Sequence, residues 1–357
     1  MLFSWPNAPF GLSEVEGHAL RQVLRLRSAR TGNDAMRPLG CFGLLLGLLG
    51  IVAAFLIAQD WRGAGPSNSA LTVQIPRGAT LSRAAAELEK AGAIDSAFRF
   101  RAYARVFGNN KSIRAGEYAL PPSASKSEVL NLLQAGKVRQ RFVVVPEGLP
   151  SVIVHDALLR ADGLVGSVDV PREGSVLPDS YAYERGDTRI SVVLRMQKAM
   201  RDYLAAAWKK RKADIAVKTP EEAITLASIV EKETGKPSER RTVAGVYGNR
   251  LRLGMPLQAD PTVIYPITKG RPLGRRILES ELKAKNGYNT YASPGLPVGP
   301  IANPGKASID AVLDPADTKA LYFVADGTGG HVFADTLEEH NANVAKWYAI
   351  RHARGEM

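Results

Sequence analysis

The chain has 357 residues, 45% of them hydrophobic, a formal net charge of +12 and a single cysteine. That apolar content excludes a disordered polymer and leaves room for a membrane or targeting element plus two domains of ordinary size. One cysteine excludes a disulfide framework, while the basic balance raises nucleic acid as a partner to be tested against the rest of the sequence.

Residues 1–38 carry Arg21, Arg25, Arg27, Arg30 and Arg37 against Glu14, Glu16 and Asp34, without strong periodicity; Met36 before Arg37 would also make a sensible start. The next stretch, "LGCFGLLLGLLGIVAAFLIA" from Leu39 to Ala58, holds twenty residues without a charge. At about 1.5 Å per residue it spans a hydrocarbon core of about 30 Å. A cleaved signal peptide is the competing reading, but the run exceeds a usual apolar region of about 7–15 residues and "QDWRGAGPSNSA" is a poor cleavage pattern. An uncleaved single span is expected, with the basic flank, a tail over 1–38, in the cytoplasm and everything after residue 58 outside.

Residues 59–70, rich in Gly, Ser and Pro, are expected to be a flexible linker without core side chains. "LTVQIP" alternates as a strand. "TLSRAAAELEKAG" has helical spacing between Thr80, a candidate cap, and Gly92. A second helix is expected from about Ser96 to Phe107, then a returning strand in "AGEYALPP" and a helix in "SKSEVLNLLQAGK" between Ser125 and Gly136. This β-α-α-β unit with an added helix, residues 71–140, resembles the LysM-like module of some peptidoglycan enzymes.

Nucleic acid loses ground along the way. No zinc-finger spacing or RNP-like motif occurs, and the basic excess is spread through "RFRAYARVFGNNKSIR" and "WKKRKADIAVK". For a basic exported chain, an anionic envelope polymer or a lipid headgroup is the better partner.

The main domain is expected over 141–357. "RFVVVPEG" reads as a buried strand, "LPDSYAYERGDT" as a turn-rich loop, and a helix from about Ile190 to Lys209 carries Val192, Leu194, Met196, Met200 and Leu204. Thr219-Pro220-Glu221-Glu222 reads as a capping box with proline at the first helical position, opening a helix that runs through "ITLASIVEKETG". In it Glu233 stands over Val230, Ile229 and Leu226, on the apolar stripe, whereas Glu231 stands over Ser228 and Ala227, at its edge. A carboxyl in an apolar pocket stays protonated near neutral pH and can act as a general acid. The competing reading is that Glu233 frays at the helix end and pairs with Lys236 or Arg240.

A further helix is expected from Ser238 to about Leu253, then the segment Gln258 to Tyr265 and the extended loop "GYNTYASPGLPVGPIANPG". Loops of that length and composition inside a compact domain are more often functional than structural. Tyr288, Asn289 and Tyr291 offer amides and aromatic faces suited to sugar rings. Asp260, with Asp179 the other loop carboxylate, is equally a turn former before Pro261. His331 and His340 are nine apart with no HExxH pattern, so no metal and no cofactor is expected. His331 reads as a groove residue or as a satisfied structural histidine, and His340 with Asn341 as tying down the last helix. A serine triad lacks any GxSxG elbow.

"ASIVEKETG", "ERRTVAGVYGNRL", "GMPLQADPTVIY", "YNTY", "GLPVGPIANPG" and "LYFVADGTGGHVFADTLEEHN" together resemble, in that order, the motifs of the MltG (YceG-like) endolytic murein transglycosylases. The likeness runs from the apolar helix to the C-terminus; the long N-terminal tail and the small Gly248 in "VYGNR" depart from it. It implies an α+β protein: one N-terminal transmembrane helix in the inner membrane, a LysM-like module, and a mixed α+β catalytic domain in the periplasm. It also implies a lytic transglycosylase that cuts the MurNAc-GlcNAc bond of nascent glycan strands, leaves 1,6-anhydro ends and so terminates elongation, with peptidoglycan synthases as partners. The catalytic glutamate of the family falls on Glu233. Substrate contacts are expected from Gln258, Asp260, Thr262, Tyr265, Asn289, Tyr291, Asn303 and His331. A non-catalytic peptidoglycan-binding scaffold needs only the anchor, the module and the groove, and stays open as the alternative.

Overall fold

The computed structural model describes residues 37–109 and 111–356, so the expected cytoplasmic tail lies outside the described residues but for its last two. Two units emerge, residues 1–60 and 61–357. The first holds helix α1, Arg37–Arg62, whose last residues run on into the second unit. Its segment Phe42–Arg62 is the one helix, among the described residues, long and apolar enough to cross a membrane.

The second unit is mixed α and β, with its strands in three antiparallel pairs among the described residues. It begins with β1 (Leu71–Ile75), α2 (Leu81–Lys90), α3 (Ala97–Phe107), β2 (Gly116–Leu120) and α4 (Lys126–Ala135). Each start has a local cause. Thr80 caps α2 by accepting from the Arg83 N–H, Ser96 caps α3 in the same way, and Ser125 with Glu128 closes a full capping box on α4. Gly136, at φ +65°, ends α4 in a left-handed turn that costs glycine nothing. β1 and β2 pair from Leu71 with Leu120 to Ile75 with Gly116, and Val73, Ile75, Leu88, Phe100, Tyr118, Val129 and Leu133 fill the core between the pair and the helices.

Residues 59–70 depart from the expected featureless linker. Trp61 is 6% exposed and packs against Phe100, Tyr103 and Phe107, with ring centroids 6.1–6.2 Å apart. Gly65 and Ser67 hydrogen-bond to the backbone of Ser123.

Then come β3 (Arg141–Val144), α5 (Ser151–Arg160), β4 (Ser180–Tyr183) and α6 (Arg189–Lys209). β3 is not buried on both faces as its apolar run suggests: Val143 is buried while Phe142 and Val144 are exposed. The reason is that among the described residues it pairs with β4 alone, formed inside the stretch expected to be a loop; a two-stranded ladder leaves one face open. Around α7 (Pro220–Glu233) gather α8 (Arg240–Arg252), α9 (Asp260–Thr268) and α11 (Lys306–Leu313); the short, unburied α10 (Glu279–Lys283) follows α9, and the chain closes with β5 (Tyr322–Ala325), β6 (His331–Ala334) and α12 (Leu337–Ala353). The expected groove loop Gln258–Tyr265 is largely helix α9. Pro261 near its start accounts for this, since its fixed φ suits the first turn.

Candidate active site on helices α7 and α8

Helix α7 starts where expected, with half of the expected box. Thr219 Oγ1 accepts from the Glu222 N–H at 3.1 Å, but the Glu222 carboxylate reaches back to the Lys218 N–H instead of that of Thr219. All eight residues from Ala223 to Val230 are buried. A helix buried all round is held by its neighbours on every side, which makes its end a firm platform. Inside it Ser228 donates to the Thr225 carbonyl at 2.7 Å and accepts from the Ile301 N–H at 3.0 Å, pinning the loop before α11 onto the helix.

The two glutamates at the end of α7 have opposite fates. Glu231, expected at the edge of the apolar stripe, has a side chain only 5% exposed. One oxygen accepts from the Gly305 N–H at 2.9 Å, and the other faces Arg240 Nη2 at 3.4 Å. The burial comes from the loop 301–305 folding over that face, which helix periodicity does not see. At Gly305 a side chain would collide with the carboxylate of Glu147, which would have to swing aside.

Glu233 keeps part of its surface exposed, yet its Oε1 is buried and has no hydrogen-bond partner. Burial pushes its pKa up to about 7. A hydrogen bond from the Tyr247 hydroxyl and the nearby Arg250 charge oppose the rise, and the Asp260 charge adds to it. Pairing with Lys236 or Arg240, the bland alternative, does not occur: Lys236 faces Glu239 at 3.4 Å and Arg240 faces Glu231.

Helix α8 supplies both opposing groups, and neither was singled out from the sequence. Tyr247 and Arg250 are three residues apart on one helix face, the spacing that could have revealed them. The Tyr247 ring is fully buried, edge-on to Phe323 at 5.8 Å. Arg250 is also buried. Its Nε donates to the Leu321 carbonyl at 2.7 Å and its Nη1 to the carbonyls of Leu257 at 2.9 Å and Pro256 at 3.2 Å and to Gln258 Oε1 at 3.3 Å. One guanidinium thus ties β5 to the turn that precedes α9. Burial lowers its pKa from the arginine range.

The expected substrate residues separate into groups. Gln258 holds a left-handed backbone at φ +53°, unusual for a residue other than glycine, and is exposed beside Arg250. Asp260 accepts from the Tyr291 hydroxyl at 2.6 Å, and burial, then this bond, raises the Tyr291 pKa. These three, with Glu233, Tyr247 and Arg250, form one neighbourhood.

Thr262, Asn289 and Asn303 are each buried with their polar atoms engaged inside the protein. Thr262 Oγ1 donates to the Ala259 carbonyl at 2.6 Å and lies 2.8 Å from Thr290 Oγ1. Asn289 Nδ2 donates to three carbonyls around α10, and its Oδ1 accepts from the Tyr291 N–H at 2.9 Å. Asn303 bridges Leu149, Ser151 and Val176. These residues shape the loops; substrate would have to displace their bonds.

Tyr265 belongs to that buried framework too, donating to Glu173 Oε2 at 3.1 Å with its ring 4.8 Å from that of Tyr288. Glu173, raised by burial, also accepts from Ser151 N–H at 2.8 Å. His331 sits on β6 with Nδ1 2.8 Å from Glu239 Oε2 and its ring edge on Phe323. His340 stacks on Tyr322. Among the described residues no group of three His, Cys, Asp or Glu side chains is placed to hold a metal ion. Clefts of about 620, 370 and 360 Å³ are lined by other residues and do not include Glu233.

The family model described as YceG-like matches residues 73–346. The chain belongs to the YceG-like family. A protein named endolytic murein transglycosylase from Bacillus subtilis is 28% identical over 324 residues, covering 81% of this chain and 88% of that protein. One of the same name from Streptococcus pneumoniae is 29% identical over 329 residues, 78% of this chain, which spans only 59% of that longer relative. Among solved structures, a yceG-like protein of Listeria monocytogenes is 30% identical, with 77% of this chain and 99% of that one covered at a TM-score of 0.46. The YceG-like match takes in every residue of the Glu233 neighbourhood, from α7 through Tyr291.

Proposed function

We propose that this chain is an endolytic murein lytic transglycosylase with Glu233 as its single acid/base. The observation that carries the reading is the unpartnered, buried Glu233 Oε1 on a carboxyl whose pKa is pushed up to about 7. Such a group is protonated in about half of the molecules at neutral pH, and the part of the Glu233 side chain that stays exposed is where a glycosidic oxygen would approach. Names of the relatives supply the substrate class, peptidoglycan.

In this mechanism Glu233 gives its proton to the oxygen between N-acetylmuramic acid and N-acetylglucosamine as that bond breaks. The resulting carboxylate, supported by the Tyr247 hydroxyl and Arg250, takes the proton of the muramic C6 hydroxyl as that oxygen attacks C1. A 1,6-anhydro ring closes, Glu233 is again protonated, and no water is consumed. Intramolecular attack wins because the nucleophile is already in place, an advantage that reaches several kcal/mol. Exposed Gln258 and Asp260, with partly buried Tyr291, are the candidate substrate contacts at the mouth of the site, and His331, oriented by Glu239, is a more distant one.

Helix α1 would serve as a single-pass anchor in the inner membrane with everything after residue 58 in the periplasm, where the enzyme would terminate nascent strands beside peptidoglycan synthases. Residues 71–140, with their LysM-like order of elements, would add contacts to glycan. A second reading, a muramidase, draws on one observation: Asp260 is a second carboxylate close enough to raise Glu233, and glycosidases ordinarily use two. Digestion of purified glycan strands in ¹⁸O-labelled water decides. Anhydro ends without label are expected; labelled reducing ends would overturn the transglycosylase reading in favour of the hydrolase, and no cleavage at all would leave the scaffold.

A further inference from the structure

The basic stretch "RFRAYARVFGNNKSIR" has no role in the chemistry above, and most of it is helix α3. Its two faces differ. Phe100 and Ala104 are buried in the core, with Tyr103 and Phe107 closing on Trp61. Phe98, Ala102 and Val106, at i, i+4 and i+8, line the outer face, with Phe98 71% and Val106 73% exposed. Phe107 beside them is still 47% exposed. Arg99 and Arg105 are exposed on the same helix, and exposed Lys111 and Arg114 follow it. Arg105 and Lys111 also share the lining of the 360 Å³ cleft. Residues 71–140 hold eleven Lys and Arg against five Asp and Glu.

We propose that the outer face of α3 lies on an anionic lipid bilayer, with Phe98 and Val106 in the headgroup region and the neighbouring cations on lipid phosphates. An apolar stripe flanked by arginines is the composition of a helix lying in the membrane interface, where apolar side chains enter about 5–10 Å. What commits the face to a bilayer and not to another protein is the chain that leads to it. Trp61, the clamp on the inner face of α3, stands three residues beyond Ala58, the end of the uncharged run, and a chain reaches at most about 3.6 Å per residue. A bilayer that takes up residues 39–58 therefore has the Trp61 cluster within about 11 Å of its edge, at the depth where Trp and Tyr concentrate. The inference rests on the proposed membrane span, and it assigns the basic excess of the module to lipid.

The test uses the full chain in vesicles of three parts phosphatidylcholine to one part phosphatidylglycerol. Cys41→Ser removes the one cysteine, and Phe98→Cys carries an environment-sensitive dye; Asp317→Cys, whose native side chain is 99% exposed, is the control. The expected result is a blue-shifted emission at position 98, quenched several-fold by bromine-labelled lipid, with position 317 unaffected. The quenching should weaken in pure phosphatidylcholine and in the R105E/K111E variant. Emission at 98 equal to that at 317 overturns the proposal, as does a blue shift without lipid quenching, which would mean a protein partner. Alkaline carbonate separates the two levels. A chain that stays in the pellet with a water-like dye overturns the docking of α3 alone, whereas a chain washed off the vesicles overturns the span and the docking with it.

Discussion

The two ends of one short segment, Glu231 and Glu233, show what tertiary context does to identical side chains. Around Glu231 the helix end meets the loop 301–305, and the carboxylate is saturated by the Gly305 N–H and Arg240. Around Glu233 the partners are a tyrosine hydroxyl and an arginine already engaged with four acceptors, and one carboxyl oxygen has none. A buried charge with good partners holds structure together; a buried carboxyl short of partners keeps its proton and is available for chemistry.

The contrast breaks most visibly with Glu233→Gln. Activity should fall by about 10²–10⁴, the usual worth of general acid-base catalysis, when anhydro-ended fragments are counted by mass. The fold should remain, and the pH dependence of stability should betray the lost acid. With its pKa raised from 4.5 to about 7, Glu233 contributes stability that is full below pH 4.5 and lost as pH rises through 7. Melting of the parent relative to the glutamine variant should therefore decline across that window; a flat difference would mean that Glu233 is an ordinary exposed carboxylate.

Glu231→Ala should act on stability first. It leaves the Gly305 N–H without its acceptor and Arg240 with only Glu147, 4.0 Å away, at a cost of about 3 kcal/mol in denaturant melts, while Glu231→Gln, which still accepts from Gly305, should cost less. An alanine variant as stable as the parent but inactive would reverse the roles assigned to the pair.

Smaller again is Thr262→Val, which removes the buried hydroxyl shared with Thr290 and should cost about 1–3 kcal/mol with little change in KM for glycan. A raised KM at unchanged stability would restore Thr262 as a substrate contact.

The finest test moves the Glu233 pKa in two directions. Tyr247→Phe removes a hydrogen bond that favours the carboxylate, so the alkaline limb of the pH-rate profile should move up. Asp260→Asn removes a like charge, so that limb should move down. Equal shifts in both variants would show that the limb belongs to another group.

The sequence by itself determined what depends on near neighbours in the chain. Caps at Thr80, Ser96, Ser125 and Thr219, the uncharged run before residue 58 and the apolar stripe that includes Glu233 are all written in spacings of three and four residues. Local rules suffice there because a helix is built from contacts within one turn. Tertiary structure alone decided which groups were left wanting. Loop 301–305, some seventy residues downstream, buried Glu231; α8 placed Tyr247 and Arg250 at Glu233; a buried hydroxyl pair engaged Thr262 with Thr290; and Trp61 turned an expected linker into part of a core. Burial and hydrogen-bond saturation are properties of everything that surrounds a side chain, and most of those surroundings come from distant positions in the chain.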